Sequence, residues 1–165
     1  MSGGSDDWTD WLDRHGAVLL LFARQWISNR SDAEDIVQDA FVRFWRRRDE
    51  VAEPLSYLYA SVKHCALDRQ RHQRRQSQRE EATARAECES LFSHAAEQAE
   101  RENAIEEALC ELPEFQREVL VLKIWGELTF PQIGEALQIS VNTAASRYRY
   151  ALEKLRESLV KESIR

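Results

Sequence analysis

Glycine and proline are scarce, five and three in 165 residues, and so are the tight turns they make possible. The deficit points away from β-rich folds and toward an all-α chain. Long apolar runs are missing too. The longest, Ala17 to Ala23, is far shorter than the roughly 20 residues a membrane span needs, so no membrane insertion is expected. The N-terminus carries Asp6, Asp7, Asp10 and Asp13 rather than a basic stretch before an apolar one, which argues against a secretory signal and for a cytoplasmic protein. The three cysteines, Cys65, Cys88 and Cys110, are odd in number and form no C-x-x-C pair. They are expected to be thiols in a reducing compartment.

What is present is charge, sorted by segment. The chain has 23 Lys and Arg against 29 Asp and Glu, net −6. Residues 43–79 nevertheless hold 10 basic and 4 acidic side chains, whereas residues 80–118 hold 3 and 12. A polyanion feels local potential, so the mild overall acidity does not exclude nucleic acid.

Apolar residues recur at helical spacing from Asp10 to Ile27, predicting a first helix. Ser31 followed by Glu34 has the form of a capping box and predicts a second helix from Asp32. Its stripe is Ile36, Val37, Ala40, Phe41, Phe44 and Trp45, and it ends in Arg46-Arg47-Arg48. After a short polar loop, Pro54 suits the first turn of a third helix, whose apolar stripe fades toward Arg79 as cations accumulate. Residues 77–102 hold few large apolar groups and are expected to be a partly helical acidic linker. Periodicity resumes at Ala104, breaks at Leu112-Pro113, and gives a further helix that stops near Gly126.

The sharpest local pattern follows. Thr129-Phe-Pro-Gln132 combines a cap, an early proline and a capping-box glutamine, starting a short helix with Phe130, Ile133, Ala136 and Leu137 inward. Ser140 then caps a longer helix with Val141, Ala144, Tyr148, Ala151 or Leu152, and Leu155 inward. This is a helix-turn-helix layout, whose second helix lies in a DNA major groove. Its outward residues are Asn142, Thr143, Ser146, Arg147, Arg149 and Tyr150, side chains suited to base edges and phosphates. The same pattern also describes any two amphipathic helices joined tightly in a bundle. The fold class expected is therefore all-α: two small helical domains joined by a linker, at residues 8–76, 77–102 and 103–163, the second containing the helix-turn-helix.

Several blocks occur in a fixed order: Asp32-Ala-Glu-Asp-Ile-Val-Gln-Asp-Ala-Phe-Val-Arg-Phe-Trp45, Tyr57-Leu-Tyr59 with Ala66-Leu-Asp-Arg69, Leu112-Pro with Gln116-Arg-Glu-Val119, Leu128-Thr-Phe-Pro-Gln-Ile-Gly134 and Ser140-Val-Asn-Thr-Ala-Ala-Ser-Arg147. Together they resemble a bacterial extracytoplasmic-function sigma factor over residues 10 to 160. The resemblance implies a promoter-specificity subunit with core RNA polymerase and promoter DNA as partners and an anti-sigma factor as a further candidate. It implies no cofactor, no metal and no catalysis. It assigns core-polymerase contacts to Asp32, Asp35, Gln38 and Asp39, with Phe41 and Trp45 mainly core. It assigns contacts to the minus-ten region to Tyr57, Tyr59, Lys63, His64, Arg69, Arg71, Arg74 and Arg75, and to the minus-thirty-five region to Asn142, Thr143, Ser146, Arg147, Arg149 and Tyr150. Aromatics beside cations suit an unstacked strand, although aromatics at helical spacing, Tyr59 above all, are also natural core residues. Departures from the family pattern are Asn142, Ala144, Ala145, Tyr148 and the short loop before Pro54, and they bear on which promoter is read.

Two other readings stand beside it. A stand-alone helix-turn-helix repressor accounts for residues 129–155 but leaves the acidic helix and basic tail of the first half without a role. An enzyme built on Cys65 with His64, or Cys88 with His94, lacks a third ligand or partner at suitable spacing.

Overall fold

A computed structural model describes residues 5–77 and 99–164. The chain divides into two compact units, one within Met1–Glu87 and one within Cys88–Arg165. Among the described residues there are seven α-helices and no strand. The greater part of the predicted linker, residues 78–98, lies outside the described residues.

The first unit is built from α1 (Ser5–Ala23), α2 (Arg30–Arg47) and α3 (Pro54–Ser77), with a single 3-10 turn, Arg48–Glu50, after α2. The three helices meet on an aromatic core in which Phe22, Phe41, Phe44 and Tyr59 are almost fully buried. Burying each such ring is worth roughly 1.5 to 3 kcal/mol, which a unit this small needs. Helix α1 departs from expectation at both ends. It begins a turn and a half earlier, where Trp8 packs edge-on against Phe41 (ring centroids 4.5 Å apart). It stops at Ala23 because residues 24–26 turn, seating Trp26 edge-on against Phe22 at 5.0 Å and burying Ile27.

The start of α2 is also corrected. Asn29, not Ser31, is the cap: its backbone is extended (φ −71°, ψ 119°) and its side-chain oxygen accepts from the Asp32 amide at 3.1 Å. Ser31 lies inside the first turn, and Glu34 pairs with Arg30 at 2.8 Å instead of reaching back. Asn and Ser cap about equally well, so the local pattern did not separate them.

The second unit is built from α4 (Ala99–Glu111), α5 (Glu114–Ile124), α6 (Phe130–Leu137) and α7 (Val141–Ser163). Helix α4 begins at Ala99, so the last residues assigned to the linker are helical. Leu109, Leu112, Leu120 and Ala151 form its core, with Ile105, Trp125, Tyr148, Leu152 and Leu155 packed against them. The α6 capping box is present as expected, with the Thr129 side chain accepting from the Gln132 amide and the Gln132 side chain accepting from the Thr129 amide at 2.9 Å. Gln138, in the left-handed conformation (φ 55°, ψ 47°), ends α6. The Ile139 amide then donates to the Gly134 carbonyl at 2.9 Å. A Cβ at Gly134 would stand 2.8 Å from the Ile139 carbonyl oxygen, so the tight turn requires glycine there.

Cysteine usage is likewise corrected. Cys65 is a free thiol, half-buried, but Cys110 is disulfide-bonded. Sequence spacing does not decide pairing, because a disulfide needs only Cβ atoms about 4 Å apart in space.

Candidate polymerase and nucleic-acid interfaces

On α2 the helical period buries Ala33, Ile36, Val37, Ala40, Phe41 and Phe44, which leaves Asp35, Gln38 and Asp39 exposed together. Asp32, expected on the same surface, is partly committed elsewhere. Its carboxylate accepts from Arg69 at 3.2 Å and Gln73 at 3.4 Å, tying the start of α2 to the middle of α3. Arg69 is thereby held within the unit as well. The Gln70 amide, donating to the Trp26 carbonyl at 3.3 Å, strengthens the same seam.

On α3 the expected nucleic-acid residues separate into three kinds. Tyr59 is 1% exposed and edge-on to Phe22 at 5.3 Å, so it is a core residue and presents no surface to DNA. Burial pushes its phenol above the ordinary tyrosine range, and its hydroxyl finds no hydrogen-bond partner among the described residues. Tyr57 is half-buried, 6.3 Å from Phe44, and keeps part of its ring outside. Lys63 is half-buried with its ammonium 5.9 Å from the Trp26 ring. His64 and Arg71 are exposed, each within 3.3 Å of Asp68, and Arg74 and Arg75 are exposed in the final turns. The surface thus runs from one aromatic to a cluster of cations.

Before α3, Arg48 is exposed with its guanidinium carbon 4.5 Å from the centroid of the Trp45 ring. Phe41 stacks on Trp45 at 6.1 Å, and Trp8 meets it edge-on at 5.3 Å. In the sequence Arg48 reads only as the last of three cations that end the second helix, although an Arg three positions after a Trp is the signal for such a pair.

On α7, Ser140 is the cap as expected, accepting from the Thr143 amide at 3.0 Å. Its hydroxyl also shares a 2.8 Å hydrogen bond with that of Thr143, so the Thr143 hydroxyl is used locally. Ala144 and Ala151 are buried, whereas Val141, expected inward, is 47% exposed because it sits in the first turn, ahead of the packed face. Asn142, Arg149 and Tyr150 are exposed, and Ser146 is half-buried. Arg147 turns toward its own unit: it lies 3.9 Å from the buried Glu118 carboxylate and over the Phe115 ring at 5.2 Å. The groove-facing set is therefore narrower than expected, with Arg147 partly engaged by α5.

Two family models match this chain, Sigma-70 region 2 over residues 11–76 and Sigma-70, region 4 over residues 102–155. The chain belongs to the extracytoplasmic-function sigma factors. It is 28% identical to the ECF RNA polymerase sigma factor SigW of Bacillus subtilis, with 95% of this chain and 91% of SigW aligned. It is 29% identical to the RNA polymerase sigma-E factor of Streptomyces coelicolor, over 87% of this chain and 80% of that protein. Among solved structures, the sigma factor RpoE of Bartonella quintana, in complex with the anti-sigma factor NepR, has the same fold at a TM-score of 0.74 and 23% identity, covering 93% of this chain and 96% of RpoE. CnrH, in complex with the cytosolic domain of CnrY, follows at 0.65 and 24%, covering 97% of this chain and 92% of CnrH.

As a sigma factor this chain is a promoter-specificity subunit of RNA polymerase, and its partners are core polymerase and promoter DNA. The region 2 match gives the first unit a role that the stand-alone repressor reading leaves empty, and nothing supports that alternative. Within the described residues no helix is long and apolar enough to cross a membrane. Nor do any three or more His, Cys, Asp or Glu side chains there form a group able to hold a metal ion.

Proposed function

We propose that the two units divide the work of the sigma factor, residues 8–76 engaging core polymerase and the minus-ten element, and residues 103–163 the minus-thirty-five element, joined by an acidic linker at 77–102. The single observation that carries this reading is the sorting of charge on the first unit. Helix α2 exposes Asp35, Gln38 and Asp39, while the end of α3 exposes Arg71, Arg74 and Arg75. An acidic patch suits a protein partner with basic contacts and repels a phosphate backbone, and the cations do the reverse.

In this division Asp35, Gln38 and Asp39 bind core polymerase, with Asp32 bracing the helix that carries them. Tyr57, His64, Arg71, Arg74 and Arg75 meet the melted strand and its flanks, with Lys63 and Arg69 behind them. Asn142, Arg149 and Tyr150 face the major groove, Ser146 and Thr143 line its edge, and Arg147 orients α7. The subunit supplies recognition and no catalysis of its own, and it works in the cytoplasm beside the polymerase. RpoE was solved with the anti-sigma factor NepR; an anti-sigma factor is a proposed partner of this chain as well.

The test separates the two surfaces. Replacing Asp35 and Asp39 by Asn is expected to weaken binding to core polymerase about tenfold or more while leaving the salt dependence of DNA binding unchanged. Replacing Arg71 and Arg74 by Ala is expected to leave assembly intact and flatten the salt slope of promoter binding by about one unit for each phosphate no longer neutralised. Unchanged core affinity in the first variant, or an unchanged slope in the second, contradicts the division.

A further inference from the structure

We propose that Arg48, held over Trp45, is a stacking plane for an unstacked base of the melted promoter strand. The inference rests on the sigma-factor reading above and adds a residue to its minus-ten surface.

Three observations converge on it. The first is fixation from two sides: the Arg48 guanidinium lies 4.5 Å from the Trp45 ring centroid, and its Nη1 donates to the Trp45 carbonyl at 2.6 Å. Trp45 is itself held, stacked on Phe41 with 13° between the ring planes and met edge-on by Trp8. Arginine side chains lose much rotamer freedom when ordered, and here much of that loss precedes any ligand.

The second is the contrast with its neighbour. Arg47 lies 3.6 Å from the Glu50 carboxylate, an ion pair that offsets its charge. Arg48 instead turns to an indole face and a backbone carbonyl, neither of which cancels its positive charge, and it remains exposed. A planar cation open on its outer side can stack on a nucleobase, as guanidinium planes do in single-strand recognition.

The third is position. Arg48 stands at the head of the short connection to α3, which then presents Tyr57 and the cations from His64 to Arg75. With so few residues between α2 and Pro54, a deep pocket has little chain to line it, and a stacking plane at the base of the loop is the simpler alternative.

The experiment uses holoenzyme assembled from this chain and core polymerase. Its probe is fork-junction DNA taken from a promoter that the holoenzyme selects out of a random library. A single abasic site is stepped along the non-template overhang. Wild-type holoenzyme is expected to lose about tenfold in affinity at one position, as befits the removal of one stacked base. Arg48→Ala should bind the intact fork more weakly and show no penalty at that position. Arg48→Lys, which keeps the charge and loses the plane, should behave like Arg48→Ala in this respect while its salt slope stays at the wild-type value.

An abasic penalty that persists in Arg48→Ala overturns the proposal. So does an equal loss on intact and abasic forks with full rescue by Arg48→Lys, which marks a phosphate contact, and so does a wild-type profile with no sensitive position. Should Arg48→Ala fail to assemble, the Lys variant decides by the same comparison. Failure of the wild-type chain to bind core polymerase is a different result, for it removes the sigma-factor reading and the stacking plane together.

Discussion

Tyr57 and Tyr59 stand two positions apart on α3, which places them on nearly opposite sides of a helix with 3.6 residues per turn. Tyr59 closes against Phe22 with a hydroxyl that has no partner among the described residues, whereas Tyr57 remains partly outside. Removing the Tyr59 hydroxyl is expected to leave the free energy of unfolding unchanged or to raise it by about 1 kcal/mol, because a buried donor without a partner is a net cost. Urea denaturation of Tyr59→Phe measures this, and a loss of stability instead would show that the hydroxyl is bonded. On α7, Arg149 is exposed beside Tyr150, with its guanidinium carbon 5.1 Å from the ring centroid. Arg149→Ala is expected to cost about 1 to 3 kcal/mol on a selected minus-thirty-five duplex and far less on a scrambled one, as for a residue that reads a base. Equal losses in a binding titration on both duplexes would make it a phosphate contact.

At the scale of elements, local chemistry and distant packing decide different things. The start of α6 was legible in full, since the Thr129 and Gln132 side chains close the capping box within a single turn and Pro131 sits in that same turn. The apolar stripe of α2, and that of α7 from Ala144 onward, were legible for a similar reason, because burial follows the helical period, whereas Val141 in the first turn of α7 is exposed. The ends of α1 were not, because Trp8 and Trp26 take their places from rings on other elements or across a turn. The Asp32–Arg69 pair, which partly commits two expected surface residues to each other, spans 37 positions and leaves no local trace. Nor does the engagement of Arg147 by Glu118. The cap of α2 gives this distinction a measurable form. Asn29→Ala is expected to destabilise the chain by about 1 kcal/mol, and Ser31→Ala to change it by less than about 0.5 kcal/mol. Thermal or urea unfolding of the two variants checks it, and the reverse order would restore Ser31 as the cap.

Over the whole molecule, the net charge of −6 describes no surface of the protein. Basic and acidic segments alternate along the chain, and within the first unit the fold carries the alternation onto separate exposed patches of α2 and α3. Each unit closes its own core, the first on aromatic rings and the second mainly on leucines, and each leaves exposed polar residues where the sigma-factor assignment calls for contacts. The central property of this chain as a sigma factor is that it confers start-site choice on a polymerase that lacks it. The most direct measurement is transcription in a purified system, with core RNA polymerase, genomic DNA and this chain, followed by sequencing of the 5′ ends of the transcripts. Discrete start sites are expected that appear only when the chain is added, each preceded by a shared pair of elements near minus ten and minus thirty-five. Start sites that are the same with and without the chain would contradict this expectation.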